Sequence, residues 1–222
     1  MTHDIRFRNP STFILAGASQ SGKTTFVLNL LRQAKDLFRD PRCLQNVIYY
    51  YKEWQDVYAK FADEHIVFDW VNEVPTASSM REKTLAFKQD GGSIVVIDDF
   101  AQELTRDIVT IFSVLAHHTN SVVILLQQNI FSKNPVFREI SLNATYIIVF
   151  KNPRDSSQIT HFAKQFAPGN FKWIVDAYRT CTKKPYTYLL FDSHQSTPDI
   201  LRLRSDVFDE SVSVWTEKSA KP

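Results

Sequence analysis

Ser11-Thr12-Phe13-Ile14-Leu15-Ala16-Gly17-Ala18-Ser19-Gln20-Ser21-Gly22-Lys23-Thr24-Thr25-Phe26-Val27-Leu28 is the stretch whose reading decides the fold. An apolar run feeds a loop of the form G-x-x-x-x-G-K-[ST], and apolar residues at helical spacing follow it. Strand, glycine loop and helix in that order make a phosphate-binding loop. The glycines let backbone N–H groups turn toward an anion, and the following helix aims its positive end at the same point. Residues Gly17, Ala18, Ser19, Gln20, Ser21, Gly22, Lys23, Thr24 and Thr25 are therefore the expected nucleotide-binding set. Lys23 is placed to reach the β- and γ-phosphates of ATP, and the Thr24 hydroxyl to ligate Mg²⁺. The chain has five glycines, and two of them stand in this motif.

Working outward, the next chemical signal is Gly91-Gly92-Ser93-Ile94-Val95-Val96-Ile97-Asp98-Asp99. A wholly apolar strand ending in acid is the Walker B pattern, and in open α/β sheets ligands bind at the carboxyl ends of strands. Asp98 is expected to face the phosphate loop as a metal-associated acid with Thr24. Asp99 is the expected catalytic acid, polarising the water that attacks the γ-phosphate. An acid here also suits the amino end of the helix that follows. Val122 to Leu126 is another apolar strand, and it runs into Gln127-Gln128-Asn129. Consecutive amides point to opposite faces, so one enters the site; Gln128 is the favoured one.

The remaining pattern alternates strands and helices, the signature of a parallel sheet. Strands are expected at 46–51, 65–68, 146–150 and 186–191. Helices are expected at 54–61, 77–89 (weakly), 156–166, 171–181 and along the face marked by Leu104, Ile108, Ile111, Phe112 and Leu115. A 222-residue chain with 44% hydrophobic content supports one sizeable core. The expected division is an ATPase domain at 1–192 and a C-terminal arm or tail at 193–222. No apolar run approaches a membrane span, and the polar Met1–Pro10 segment lacks a signal-peptide core. Cys43 and Cys181 are isolated, which reads as a reducing compartment rather than a zinc site. A net charge of +2 does not by itself argue for nucleic acid.

Gly17 to Thr24, the Ile94–Phe100 strand with its acid pair, Leu125-Leu126-Gln127-Gln128-Asn129 and Val149-Phe150-Lys151-Asn152-Pro153-Arg154-Asp155 together resemble the FtsK/HerA superfamily of P-loop motors. The likeness is to the small genome-packaging ATPases of poxviruses, giant viruses and Maverick/Polinton-type elements, and it spans residues 11–166. It implies a RecA/ASCE-like, mostly parallel sheet sandwiched by helices. It also implies an ATP- and Mg²⁺-dependent motor that threads double-stranded DNA, without sequence preference, into a capsid. Such motors are homo-oligomeric rings, hexameric or pentameric, with a capsid protein as a further partner and no membrane. The implied setting is the infected host cell, nucleus or cytoplasm, and the virion.

One departure stands out. The superfamily carries an arginine upstream of its sensor glutamine, acting across the subunit boundary, and here that position is His117. A neutral imidazole cannot fork onto phosphate oxygens as a guanidinium does. Either the trans finger has moved, with Arg154 the first replacement candidate and Arg138 the second, or hydrolysis is slow. Lys133, Arg138, Lys183 and Lys184 are candidate contacts to DNA phosphates. Two other functions fit the phosphate loop: a small P-loop kinase, and an ATP-binding interaction module with little turnover. No arginine cluster of the kind a kinase lid needs is visible, and the Gln-Asn strand end has no role in one.

Overall fold

Strands without polar alternation need cover on both faces, and this chain supplies it. In the computed structural model, which describes residues 4–64, 66, 69–100, 103–131, 134–153 and 157–217, β1 (Ser11–Ala16) is buried at every position. So are β4 (Ile94–Asp98), β5 (Val122–Gln127) and β6 (Tyr146–Phe150). With β2 (Val47–Tyr51), β3 (Asp69–Val71), β7 (Tyr188–Asp192), β8 (Leu203–Ser205) and β9 (Ser213–Trp215) they form one sheet of order β3-β2-β4-β5-β1-β6-β7-β8-β9. Pairing is parallel from β3 through β6 and antiparallel from β7 onward.

Against one face lie α1 (Lys23–Arg32), α2 (Ala34–Leu37) and α3 (Asp56–Asp63). Their Val27, Leu30, Leu31, Ala34, Tyr58 and Phe61 share a core with Phe13, Leu15, Tyr49 and Val96. The other face carries α4 (Ala77–Thr84), then α5 (Arg106–Thr110) running through a π-helical stretch, Ile111–Leu115, into α6 (Ala116–His118). Beside these lie α7 (Pro135–Leu142), α8 (Ser157–Phe166) and α9 (Lys172–Cys181). The mostly parallel sheet sandwiched by helices is thus present. Its topology gathers the carboxyl ends of β1, β4 and β5 along one edge, with β5 between the glycine-loop strand and the acid strand.

The strand expected at 65–68 falls mostly outside the described residues (65, 67 and 68); just after it, β3 pairs Asp69 with Ile48 of β2 and seats Trp70 4.9 Å from the Tyr49 ring. Three elements differ from expectation. The long helix starts at Arg106, leaving Leu104 buried but outside it, and its π stretch resets the apolar face. Helix α7 had no expectation at all. Its signal was Asn134-Pro135: the Asn134 side chain accepts the Val136 N–H at 2.9 Å, and proline occupies the first helical turn. The strand expected at 186–191 is β7 and begins at Tyr188, with Tyr186 in the turn before it at φ +63°.

The stretch from 193, expected as an arm or tail, contributes β8 and β9 to the sheet edge through residue 215. Arg204 ties it down: its guanidinium donates to Asp192 Oδ2 at 2.7 Å and to the Ile5 carbonyl at 2.5 Å. Among the described residues no helix is long and apolar enough to cross a membrane.

Candidate nucleotide-binding and hydrolysis site

The glycine loop closes tightly because its residues permit it. A side chain at Gly17 would begin 2.6 Å from Ser21 Oγ and 2.7 Å from Phe150 Cβ. Gly22 holds φ +99° at the cap of α1, a left-handed conformation that favours glycine. No side chain caps α1, and its first turn contains no acid. Its orphan N–H groups and positive end therefore face the cleft uncompensated, which makes an anion site. Lys23 Nζ, half-buried, donates to the carbonyls of Gly17 at 2.7 Å and Ala18 at 3.0 Å. Burial pulls its pKa down, while Asp98 and Asp99 push it back up.

Asp98 ends β4 almost fully buried, and its Oδ2 collects donors. Tyr49 OH donates at 2.8 Å, Tyr58 OH at 2.9 Å and Thr24 Oγ1 at 3.4 Å. Lys23 and Thr24 on α1 thus share one locus with Asp98. Desolvation raises the Asp98 pKa; the two phenols and Lys23 oppose it, and Asp99 adds to it. Burial likewise drives both tyrosines well above the usual phenol range, so they remain donors at any working pH. Sequence reading missed Tyr49 and Tyr58. Strand alternation puts Tyr49 on the Asp98 face, but nothing in the sequence brings α3 and Tyr58 to it.

Asp99, just beyond β4, is exposed with φ +68°, an uncommon conformation for a non-glycine residue. Gln127 belongs to β5 and faces away from Asp98. Its carbonyl accepts the Gly17 N–H at 3.1 Å, and its Nε2 is buried without a hydrogen bond among the described residues. Gln128 is the exposed residue past the strand, bordering a small cleft with Gly17 and Asn152. Thr25 is exposed on the first turn of α1, at the mouth of the main cleft. His117 is exposed at the end of α6, before β5 begins, which is the opposite edge of the sheet from the glycine loop. Within one chain it does not reach the glycine loop. Arg154 and Lys133 lie outside the described residues. Arg138 sits exposed on α7, and Lys183 and Lys184 are exposed in the turn preceding β7.

The residues fit ATP with Mg²⁺. A cleft of roughly 630 Å³ opens on residues 19–26, Ser21 Oγ is buried there with no hydrogen-bond partner among the described residues, and the Lys23 ammonium rests on loop carbonyls. Among the described residues no group of three or more His, Cys, Asp or Glu is placed to hold a metal. Mg²⁺ does not require one, since it is usually bound through one or two carboxylates together with substrate phosphates.

Fold and site together define a P-loop NTPase. No protein-family model matches the sequence, and no curated protein does. Among solved structures, the chain is similar to the genome packaging NTPase B204 of Sulfolobus turreted icosahedral virus 2 in complex with ATP-gammaS. That match has 17% identity and TM-score 0.54, and covers 94% of this chain and 98% of that one. B204 described as the DNA-packaging ATPase of Sulfolobus turreted icosahedral virus matches at 17% identity and TM-score 0.53, over 93% and 97%. These likenesses establish the shared fold end to end.

Proposed function

We propose that this protein is an ATP-hydrolysing motor that translocates double-stranded DNA and loads a viral genome into a capsid. The observation that carries the proposal is the meeting of Lys23, Thr24 and Asp98 at one edge of a fold shared over nearly its whole length with a genome packaging NTPase. Mg²⁺ held there would supply neutralisation of the charge that develops in phosphoryl transfer. Lys23 would exchange its loop carbonyls for phosphate oxygens. Thr24 and Asp98 would hold the metal, while Tyr49 and Tyr58 keep the Asp98 carboxylate in place through their hydrogen bonds. Asp99 would take the proton of the attacking water, and Gln128 would orient that water.

The fold and the resemblance support a ring of subunits, hexameric or pentameric, with Arg154 supplied in trans and DNA held through its phosphates by Lys and Arg. A capsid protein completes the partner set, and the setting is the infected cell and the virion. The test is hydrolysis by the purified chain with and without long duplex DNA, alongside its size with ATP analogue. Strong DNA stimulation and ring assembly are expected. Phosphate transfer to an added small acceptor would instead indicate a kinase, and binding without turnover or stimulation an interaction module.

A further inference from the structure

Tyr186 breaks a local rule beside the phosphate loop. Lys184-Pro185-Tyr186-Thr187 has proline second and a positive φ third, the pattern of a type II turn, whose third position glycine or asparagine normally fills. Here a tyrosine holds φ +63°. Local contacts lock the turn: Thr187 Oγ1 donates to the Lys184 carbonyl at 2.8 Å, and Lys151 N–H to the Thr187 carbonyl at 3.1 Å. The turn's geometry would be satisfied at lower strain by glycine. A side chain kept in such a place, at a site, points to a use for the side chain.

Tyr186 is 69% exposed, although large aromatics usually bury themselves. It lies against Gly22, where a side chain would begin 3.4 Å from Tyr186 Cβ. From there it walls the 630 Å³ cleft, a volume that suits a nucleotide-sized ligand. At the phosphate end stand Lys23 and Thr24. The rest of the lining includes an aromatic floor, Tyr188 and Phe208, and the amides Asn29 and Gln55. Phe26 fixes that floor, its ring 4.8 Å from Phe208 and 4.9 Å from Tyr188. Tyr186 also borders a second cleft, of roughly 540 Å³, whose lining includes Lys151, Pro153 and Pro185. That cleft shares Ser19, Gln20 and Ser21 of the phosphate loop with the first, and Tyr186 is its one aromatic lining residue among the described residues.

We infer that Tyr186 is the stacking wall of the base subsite, holding the planar heteroaromatic base of a nucleoside triphosphate over the aromatic floor, with Asn29 and Gln55 at its edge. The inference rests on the nucleotide reading of the phosphate loop. It explains why an exposed aromatic occupies a glycine position in a turn tied down by its neighbours: a platform on a fixed backbone loses less freedom when a base stacks on it.

The test is calorimetric binding of a non-hydrolysable ATP analogue, and separately of inorganic tripolyphosphate, both with Mg²⁺, to the full chain and two variants. Tyr186→Asn removes the ring with a residue that accepts the left-handed backbone, and Tyr186→Trp keeps an aromatic face. Tyr186→Asn should weaken the analogue about 10- to 100-fold, the range aromatic–base stacking supplies, and leave tripolyphosphate unchanged. Tyr186→Trp should retain analogue binding, with its added indole emission quenched on saturation. Equal weakening of both ligands in Tyr186→Asn would make the ring a prop of the phosphate loop and overturn the inference. Unaltered analogue affinity in Tyr186→Asn would overturn it too. Absence of binding of either ligand to the unmodified chain would remove the nucleotide reading first, and the base subsite with it.

Discussion

Tyr58→Phe removes one hydroxyl from the best-satisfied carboxylate oxygen of the site and leaves the ring in its core. The lost bond is 2.9 Å long and ends on buried Asp98. Hydrogen bonds to charged groups contribute about 1.5–3 kcal/mol and neutral ones about 0.5–1.5 kcal/mol. Tyr49 OH still donates to the same oxygen at 2.8 Å, so the lower half of the charged range applies, near 2 kcal/mol. With a urea m-value of about 2 kcal/mol/M, the unfolding midpoint at neutral pH should fall by roughly 1 M. In an Asp98→Asn background the acceptor is a neutral amide, so the same hydroxyl should contribute about 1 kcal/mol. The double-mutant cycle therefore predicts a coupling of about 1 kcal/mol between Tyr58 and the Asp98 charge. A cost that is unchanged in the Asp98→Asn background would refute the assignment of this phenol to an ionised carboxylate.

Asp98→Asn itself should raise the melting temperature of the ligand-free protein while abolishing Mg²⁺-dependent turnover. Its folded pKa is raised, so the folded state gains stability from protonating it; that stability is present below the unfolded pKa and lost as pH rises through the folded one. The stabilisation seen by scanning calorimetry should accordingly be greatest at neutral pH, shrink as pH falls through the raised folded pKa toward about 4, the unfolded carboxyl range, and be absent below it. Asp99→Ala, which removes the proposed proton acceptor, should lower steady-state hydrolysis at least about 100-fold with analogue affinity retained; turnover near the starting rate would return Asp99 to a backbone role at its positive φ. Mixing inactive Arg154→Ala and Asp99→Ala subunits should restore part of the activity, because some interfaces then pair an intact acid with an intact arginine. No recovery at any mixing ratio would take Arg154 out of the trans role.

The parallel core was legible because its strands are apolar runs punctuated by Gly91-Gly92, Gly17 and the acid pair, signals that act within a few residues. The edges were harder to read. The register of β3 depends on Trp70 finding an aromatic nest built by Tyr49, Tyr51 and Tyr58, which no local pattern encodes. The stretch after 193 looked like an arm because its strands are three residues long and rely on Arg204 reaching Asp192 and Ile5. The site divides in the same way. Glycine loop, Lys23, Thr24 and Asp98 follow from motifs, because phosphate and metal demand fixed residue types. Tyr58, Tyr186 and the placement of His117 depend on how distant segments pack, and Tyr186 shows only as a tyrosine where a turn prefers glycine.

The most direct measurement is equilibrium binding of an ATP analogue, with and without Mg²⁺, to the unmodified chain and to Lys23→Ala, with circular dichroism confirming that both are folded. If the first turn of α1 and the acid closing β4 grip one metal–triphosphate, affinity should depend on Mg²⁺ in the unmodified chain and be lost in a folded Lys23→Ala. Undiminished, Mg²⁺-independent binding by that variant would contradict it.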